Sequence, residues 1–202
     1  MEQAILVCTL AKQVPILEGY DYIGVDYGAY VCAKQQIHMK IAIGDFDSVS
    51  KEQLEQIKQY SDEIITLPTH KDETDSEKAI LYALKHYKQL ILYGGLQGRI
   101  DHTMANLYLL MHRDYPLALM DEQNYMIVLN EGIHTIKNQY KYMSVLALSP
   151  SCISLKQVAY PLEHKEIKVD DVYTISNEIV GEEAIVEVHE GKILLMLCND
   201  QK

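Results

Sequence analysis

From the N-terminus to about residue 120, short unbroken apolar runs alternate with stretches whose apolar residues recur every three or four positions. The runs AILVCTL, YIGVD, KIAIGD, EIITLP, QLILYGG and PLALMD are rich in Ile, Leu and Val, the composition of strands buried on both faces. Between them, Ser50 followed by Gln53 predicts a capping box opening a helix that runs to Tyr60. Thr74 followed by Glu77 predicts a second. In that second helix Ile80, Ala83, Leu84 and Tyr87 share one face, and in a third Met104, Leu107, Tyr108 and Met111 do so. Alternation of this kind predicts a mostly parallel sheet covered by helices on both sides, an α/β/α arrangement.

Beyond Gln123 the helical period is lost. NYMIVLN, KYMSVLAL, CISLKQVAY, EIKVDDVYTI, EEAIVEVHE and KILLMLCN follow one another at close spacing, which predicts an antiparallel sandwich or barrel. VEVHEGKILLML reads as a hairpin turning at Glu190-Gly191, and NEGIHTIKNQ as the opening hairpin of the same domain. The expected division is an α/β domain over residues 1–124 and a β domain over 125–202.

Composition narrows the possibilities. A chain of 202 residues with 48% apolar and 23% charged content is an ordinary globular protein. Its net charge of -11 argues against nucleic acid or a membrane surface as partner, both of which favour basic patches. Cys8, Cys32, Cys152 and Cys198 show no C-x-x-C spacing and fit reduced thiols better than zinc ligands or disulfides. The start MEQAILVCTL does not read as a signal peptide, and no apolar run reaches the ~18 residues of a membrane span. A cytoplasmic protein is expected. No two of the eight histidines have H-x-x-x-H spacing.

The acidic residues carry the chemistry. In open parallel sheets, ligands bind beyond the carboxyl ends of the strands. Asp26 and Gly28 follow YIGV there, Asp45 and Asp47 follow IAIG, Asp72 and Asp75 follow IITLP, and Gly94, Gly95, Gly98, Arg99 and Asp101 follow LILY. Asp45 and Asp47 are the sharpest case. In an extended segment they would point the same way, and two like charges ~4 Å apart repel by roughly 4 kcal/mol at an effective dielectric near 20. A divalent cation would offset that cost, unless an Asx turn accounts for the pair. Other residues have plainer readings too: Asp75 as a first-turn charge, Lys78 as its ion-pair partner, Asp101 as a helix N-cap. Taken together, the carboxylates, Lys78 and Arg99 point to phosphoryl-type transfer assisted by Mg²⁺. No Walker A loop or kinase-type glycine loop is present.

The motifs GVDYGAY, IAIGDFDSVS, DETDSEKA, GGLQGRIDHTMANL and SNEIVGEEA, in this order and spanning nearly the whole chain, resemble those of the thiamine pyrophosphokinases. The resemblance implies an α/β nucleotide-binding domain followed by a β-sandwich that binds thiamine. It also implies a homodimer with thiamine at the subunit interface, and ATP as co-substrate. It assigns Mg²⁺ and the phosphates to Asp45, Asp47 and Asp75. Thr74, Lys78, Arg99, Asp101 and Asn106 fall in the phosphate region, Gly28 in the nucleotide motif, and Ser176 and Asn177 in the thiamine motif. The implied reaction moves a diphosphoryl group from ATP to thiamine, with Asp101 or a metal-bound aspartate taking the hydroxyl proton. Three departures stand out: Gln97 in place of a glycine, Tyr27 in place of another, and no Trp in the chain, so that Tyr160 or another tyrosine would serve near thiamine. The rival reading is a metal-dependent phosphatase with an aspartyl nucleophile, since an apolar strand followed by D-x-D-S also opens such enzymes.

Overall fold

A computed structural model describes residues 2–68 and 73–200; Asp72 and His70 lie outside the described residues. The chain divides into two compact units, Met1–Glu122 and Gln123–Lys202.

The first unit is α/β. Its strands are β1 (Gln3–Val7), β2 (Tyr20–Val25), β3 (Met39–Gly44), β4 (Ser61–Thr66), β5 (Gln89–Tyr93) and β6 (Leu117–Met120). Each falls on one of the six apolar runs. All pair in parallel in the order β6-β5-β1-β2-β3-β4. The central strands are buried on both faces, with Ile5, Leu6, Ile23 and Leu92 sealed from solvent. β4, at one edge, is only partly covered.

Among the described residues four helices connect the strands: α1 (Tyr27–Lys34), α2 (Lys51–Gln59), α3 (Asp75–Ala83) and α4 (Ile100–His112). α1 packs beside α2, and α3 beside α4. Strands β2 to β4 step away from β1 in one direction, whereas β5 and β6 lie on its other side. With right-handed crossovers, that reversal puts the two helix pairs on opposite faces. It also opens a switch point between β1 and β5.

The capping box at Ser50 is complete: Gln53 N donates to Ser50 Oγ (3.3 Å) and Ser50 N to Gln53 Oε1 (2.8 Å). At Thr74 only half of one forms. Thr74 Oγ1 accepts from Glu77 N at 3.1 Å, while the Glu77 carboxylate lies 3.8 Å from Arg113. α1 starts at Asp26 (φ 50°, ψ -123°), an N-cap residue type whose side chain makes no cap bond here. On α4 the predicted face is corrected. Asn106, Leu109 and Leu110 face inward, and Met104 and Tyr108 are exposed.

The second unit is all-β: β7 (Asn124–Lys137), β8 (Tyr142–Ala147), β9 (Ser151–Lys156), β10 (Leu162–Ile167) and β11 (Glu183–Cys198). Neither predicted hairpin exists. β7 runs straight through Glu131-Gly132, and β11 through Glu190-Gly191. The two long strands pair antiparallel along their length, with a register shift between Val188 and Lys192. The first half of β11 also pairs β9, and its second half pairs β8. One core, including Ile153, Val186, Ile193 and Leu195, draws on both halves. Gly191 (φ +89°) makes the bulge possible, since a Cβ there would lie 2.4 Å from Ser151 Oγ and 2.5 Å from the Pro150 carbonyl. A Gly191→Val protein should therefore lose about 2 kcal/mol or more in urea unfolding; a change within about 0.5 kcal/mol would show that the bulge tolerates a side chain.

Candidate active site

The carboxylates gather where the parallel sheet ends, though not in the expected pairing. Phe46 adopts φ +56°, so the chain turns immediately after β3 rather than continuing extended. Asp45 Oδ1 accepts from Asp47 N at 3.2 Å, an Asx turn, and the Asp47 side chain is exposed. The crowding falls instead on Asp26, at the end of β2. Asp45 N donates to Asp26 Oδ1 at 3.1 Å, and Gly44 makes room, since a Cβ there would sit 1.8 Å from that oxygen. Burial pushes the Asp26 carboxyl up to about 6; the charges of Asp75 and Asp45 add to the rise, and backbone N–H groups of Phe46 and Asp45 oppose it. Asp26, Asp45 and Asp75 thus share one electrostatic environment. The sequence placed Asp26 on this rim, but its central position depends on how α1 and β3 meet.

Several other site residues act on the scaffold. Gly28 is buried at the start of α1, where a Cβ would lie 2.0 Å from the Val7 carbonyl, so its bareness lets α1 sit against the end of β1. Asn106 is buried on α4 and donates from Nδ2 to the Gly95 carbonyl at 2.8 Å, fastening the glycine-rich loop. Thr74 caps α3 and places Asp75 in its first turn. Cys8, at the end of β1, is buried with its thiol pushed up to about 12 by burial, which makes it a poor nucleophile.

The two cations are already engaged. Lys78 pairs with Glu73 at 2.8 Å, a different partner from the expected Asp75. Arg99 is itself the N-cap residue of α4, a place the sequence offered to Asp101. It holds Asp101 in a two-point pair, Nε to Oδ1 at 3.1 Å and Nη2 to Oδ2 at 2.5 Å. Both side chains are exposed. The hydrogen bond from Arg99 holds Asp101 below the ordinary carboxylate range. In the second unit, Ser176 is exposed with φ +59°. Asn177 is buried, its Oδ1 accepting from Tyr160 N (3.0 Å) and Glu178 N (2.9 Å) and its Nδ2 donating to Tyr160 O (2.9 Å). Asn177 therefore ties two loops together, while Ser176 faces solvent.

The available donors are carboxylate oxygens, which suit a hard cation such as Mg²⁺. Among the described residues no three His, Cys, Asp or Glu side chains form a ready metal cage.

An open parallel sheet with carboxylates and an arginine-bearing glycine loop behind its strands, followed by an all-β unit, suits a phosphate-bearing ligand at the carboxyl edge of the sheet. The comparisons narrow that reading. The model of the thiamin pyrophosphokinase catalytic domain matches residues 20–119, and that of the thiamin pyrophosphokinase vitamin B1 binding domain matches residues 132–193. The chain belongs to the thiamin pyrophosphokinase family. It is 26% identical over 200 residues to a thiamine pyrophosphokinase of Bacillus subtilis (strain 168), covering 93% of this chain and 94% of that one. A crystal structure of a thiamin pyrophosphokinase family protein from Enterococcus faecalis matches with a TM-score of 0.86 at 26% identity, covering 98% of this chain and all of that one. The thiamin pyrophosphokinase of Geobacillus thermodenitrificans matches with a TM-score of 0.84 at 26% identity, covering 99% of each chain.

The raised Asp26 carboxyl has a consequence for the metal-free protein. Its folded value, about 6, lies above the ordinary 3.8, so between these pH values the folded chain binds more protons than the unfolded one. Stability attributable to Asp26 then falls as pH rises through this window. Asp26→Asn should raise the thermal midpoint at pH 7 and make little difference below pH 4. A variant that is less stable at pH 7 would show that the charged Asp26 is already well satisfied.

Proposed function

We propose that this protein transfers the diphosphoryl group of ATP to the hydroxyethyl oxygen of thiamine, giving thiamine diphosphate and AMP. The observation that carries the reading is the meeting of Asp26, Asp45 and Asp75 at one sheet edge, in a chain whose two units each match a domain of the family. Thiamine's oxygen attacks the β-phosphorus, a new O–P bond forms, and the bond to the α-phosphate oxygen breaks as AMP leaves. The hydroxyl proton passes to a carboxylate, Asp101 or one of Asp45, Asp47 and Asp75.

Asp45, Asp47 and Asp75, with Asp26 beside them, are the residues that would hold Mg²⁺, which supplies charge neutralisation for the phosphates. Arg99 and Lys78 steady the transferred group, each leaving a carboxylate partner to do so. Asn106 keeps the glycine loop in place for them. In the β unit, which we read as a sandwich because both halves of β7 and β11 share one core, Ser176 contacts thiamine and Asn177 sets the loop that presents it. A homodimer would cover apolar side chains now in water: Ile100, Met104 and Tyr108 on α4, and Val172, Tyr173 and Ile175 before Ser176. No described helix is long and apolar enough to cross a membrane, and the free cysteines support the reading of a cytoplasmic protein.

Incubation of the purified protein with ATP, thiamine and Mg²⁺ should yield AMP and thiamine diphosphate in equal amounts. Asp45→Asn should lower the rate by about a hundredfold or more, the scale of losing one electrostatic catalytic group. ADP with thiamine monophosphate would overturn attack at the β-phosphorus. Free phosphate with thiamine untouched would favour a phosphatase.

A further inference from the structure

β1 and β2 are parallel neighbours, yet residues 8–19 make the crossover between them without a helix. A helix would satisfy its own backbone; here side chains of the surrounding elements supply bonds instead. Tyr93 Oη donates to Gln13 O at 2.7 Å. Gln35 Oε1 accepts from Val14 N at 3.1 Å, and Gln35 Nε2 donates to Lys12 O at 3.4 Å. Further along, Tyr22 Oη accepts from Leu17 N and donates to Pro15 O, both at 2.8 Å.

The first part of the crossover, residues 8–14, touches three pieces of chain that bear candidate site residues. On α1, a Cβ at Gly28 would lie 2.0 Å from Val7 O and 2.9 Å from the carbonyl carbon of Cys8; Asp26 is two residues away. On α3, Ser76 Oγ lies 3.8 Å from Cys8 Sγ, and Asp75 is its neighbour. In the loop after β5, a Cβ at Gly94 would lie 2.8 Å from Ala11 N, and one at Gly98 2.2 Å from Leu10 Cδ1. Arg99 follows directly. One short stretch therefore sets the arginine-bearing loop against the starts of both helices.

Tyr93 holds that stretch at both ends. Its carbonyl accepts from Cys8 N at 2.9 Å while its hydroxyl reaches Gln13 O. The ring is buried, and the next residue is Gly94. We infer that Tyr93 is a positioning residue, which through its hydroxyl fixes the loop of Arg99 relative to Asp26 and Asp75. The inference rests on the proposed diphosphoryl transfer, in which Arg99 steadies the transferred group. A misplacement of ~1 Å caused by a remote change can cost up to about a hundredfold in rate.

The test is steady-state kinetics of the full chain with ATP, thiamine and Mg²⁺. Tyr93→Phe keeps the ring and the backbone bond to Cys8 and removes only the hydroxyl. It should lower kcat about tenfold and leave the KM for thiamine unchanged. Tyr22→Phe removes a comparable hydroxyl from the same crossover, beyond the part that meets the glycine loop, and should keep the parent kcat. With Arg99→Lys already in place, Tyr93→Phe should lower kcat no further, because the two act through one group. If Tyr93→Phe fails to fold, Gln35→Met, which frees Lys12 and Val14, takes its place in the same comparison. A parent-like kcat in Tyr93→Phe, equal losses in Tyr93→Phe and Tyr22→Phe, or losses that multiply with Arg99→Lys would each overturn the role. A parent protein that made no thiamine diphosphate would overturn the proposed reaction and this role with it, a failure distinct from the other three.

Discussion

The candidate site turns on one buried carboxylate, Asp26, to whose reluctance to ionise the charges of Asp75 and Asp45 add. Asp26 ends β2, Asp45 follows β3, and Asp75 opens α3, which packs over β1, β2, β3 and β5. Parallel pairing sets β2 beside β3, and the Asp45 amide then ties its neighbour's carboxylate in place. Burial and the two adjacent charges keep Asp26 reluctant to ionise. Such an arrangement costs stability in the ligand-free protein at neutral pH, and in the proposed reaction a cation arriving with phosphate oxygens would offset that cost.

Around that centre the scaffold does more than carry ligands. Gly28 and Gly44 keep close approaches open, Asn106 holds the glycine loop, and Asn177 joins Tyr160 to the segment bearing Ser176. Arg99 and Lys78 wait on Asp101 and Glu73. The Arg99–Asp101 pair is exposed and contributes little to stability, so in the proposed reaction a triphosphate would take Arg99 at small cost, whereas the Lys78–Glu73 pair is half-buried.

The architecture of the first unit was legible because its strands are buried on both faces and so read as unbroken apolar runs, and because Ser50 and Thr74 carry local capping chemistry. The candidate site residues were legible as residue types behind those runs. What escaped depended on tertiary context. α1 begins at Asp26 in an unusual backbone conformation, its carboxylate accepting from Asp45 N rather than capping the helix. The pairing of Asp45 with Asp47 assumed an extended chain, and the left-handed Phe46 breaks that assumption. Glycine at 132 and 191 suggested turns, whereas the two strands pass through those positions and pair side by side. Apolar spacing on α4 pointed to a core face, yet Met104 and Tyr108 lie outside; a pattern shows that residues are covered together, not by what.

The most direct test of the account is the thermal unfolding midpoint with Mg²⁺ alone, ATP alone, and both together. If the crowded carboxylates take a cation only with phosphate oxygens, both together should raise the midpoint well beyond either alone. That extra rise should vanish in Asp45→Asn. The same rise with ATP in the absence of any divalent cation, or none with both, would contradict it.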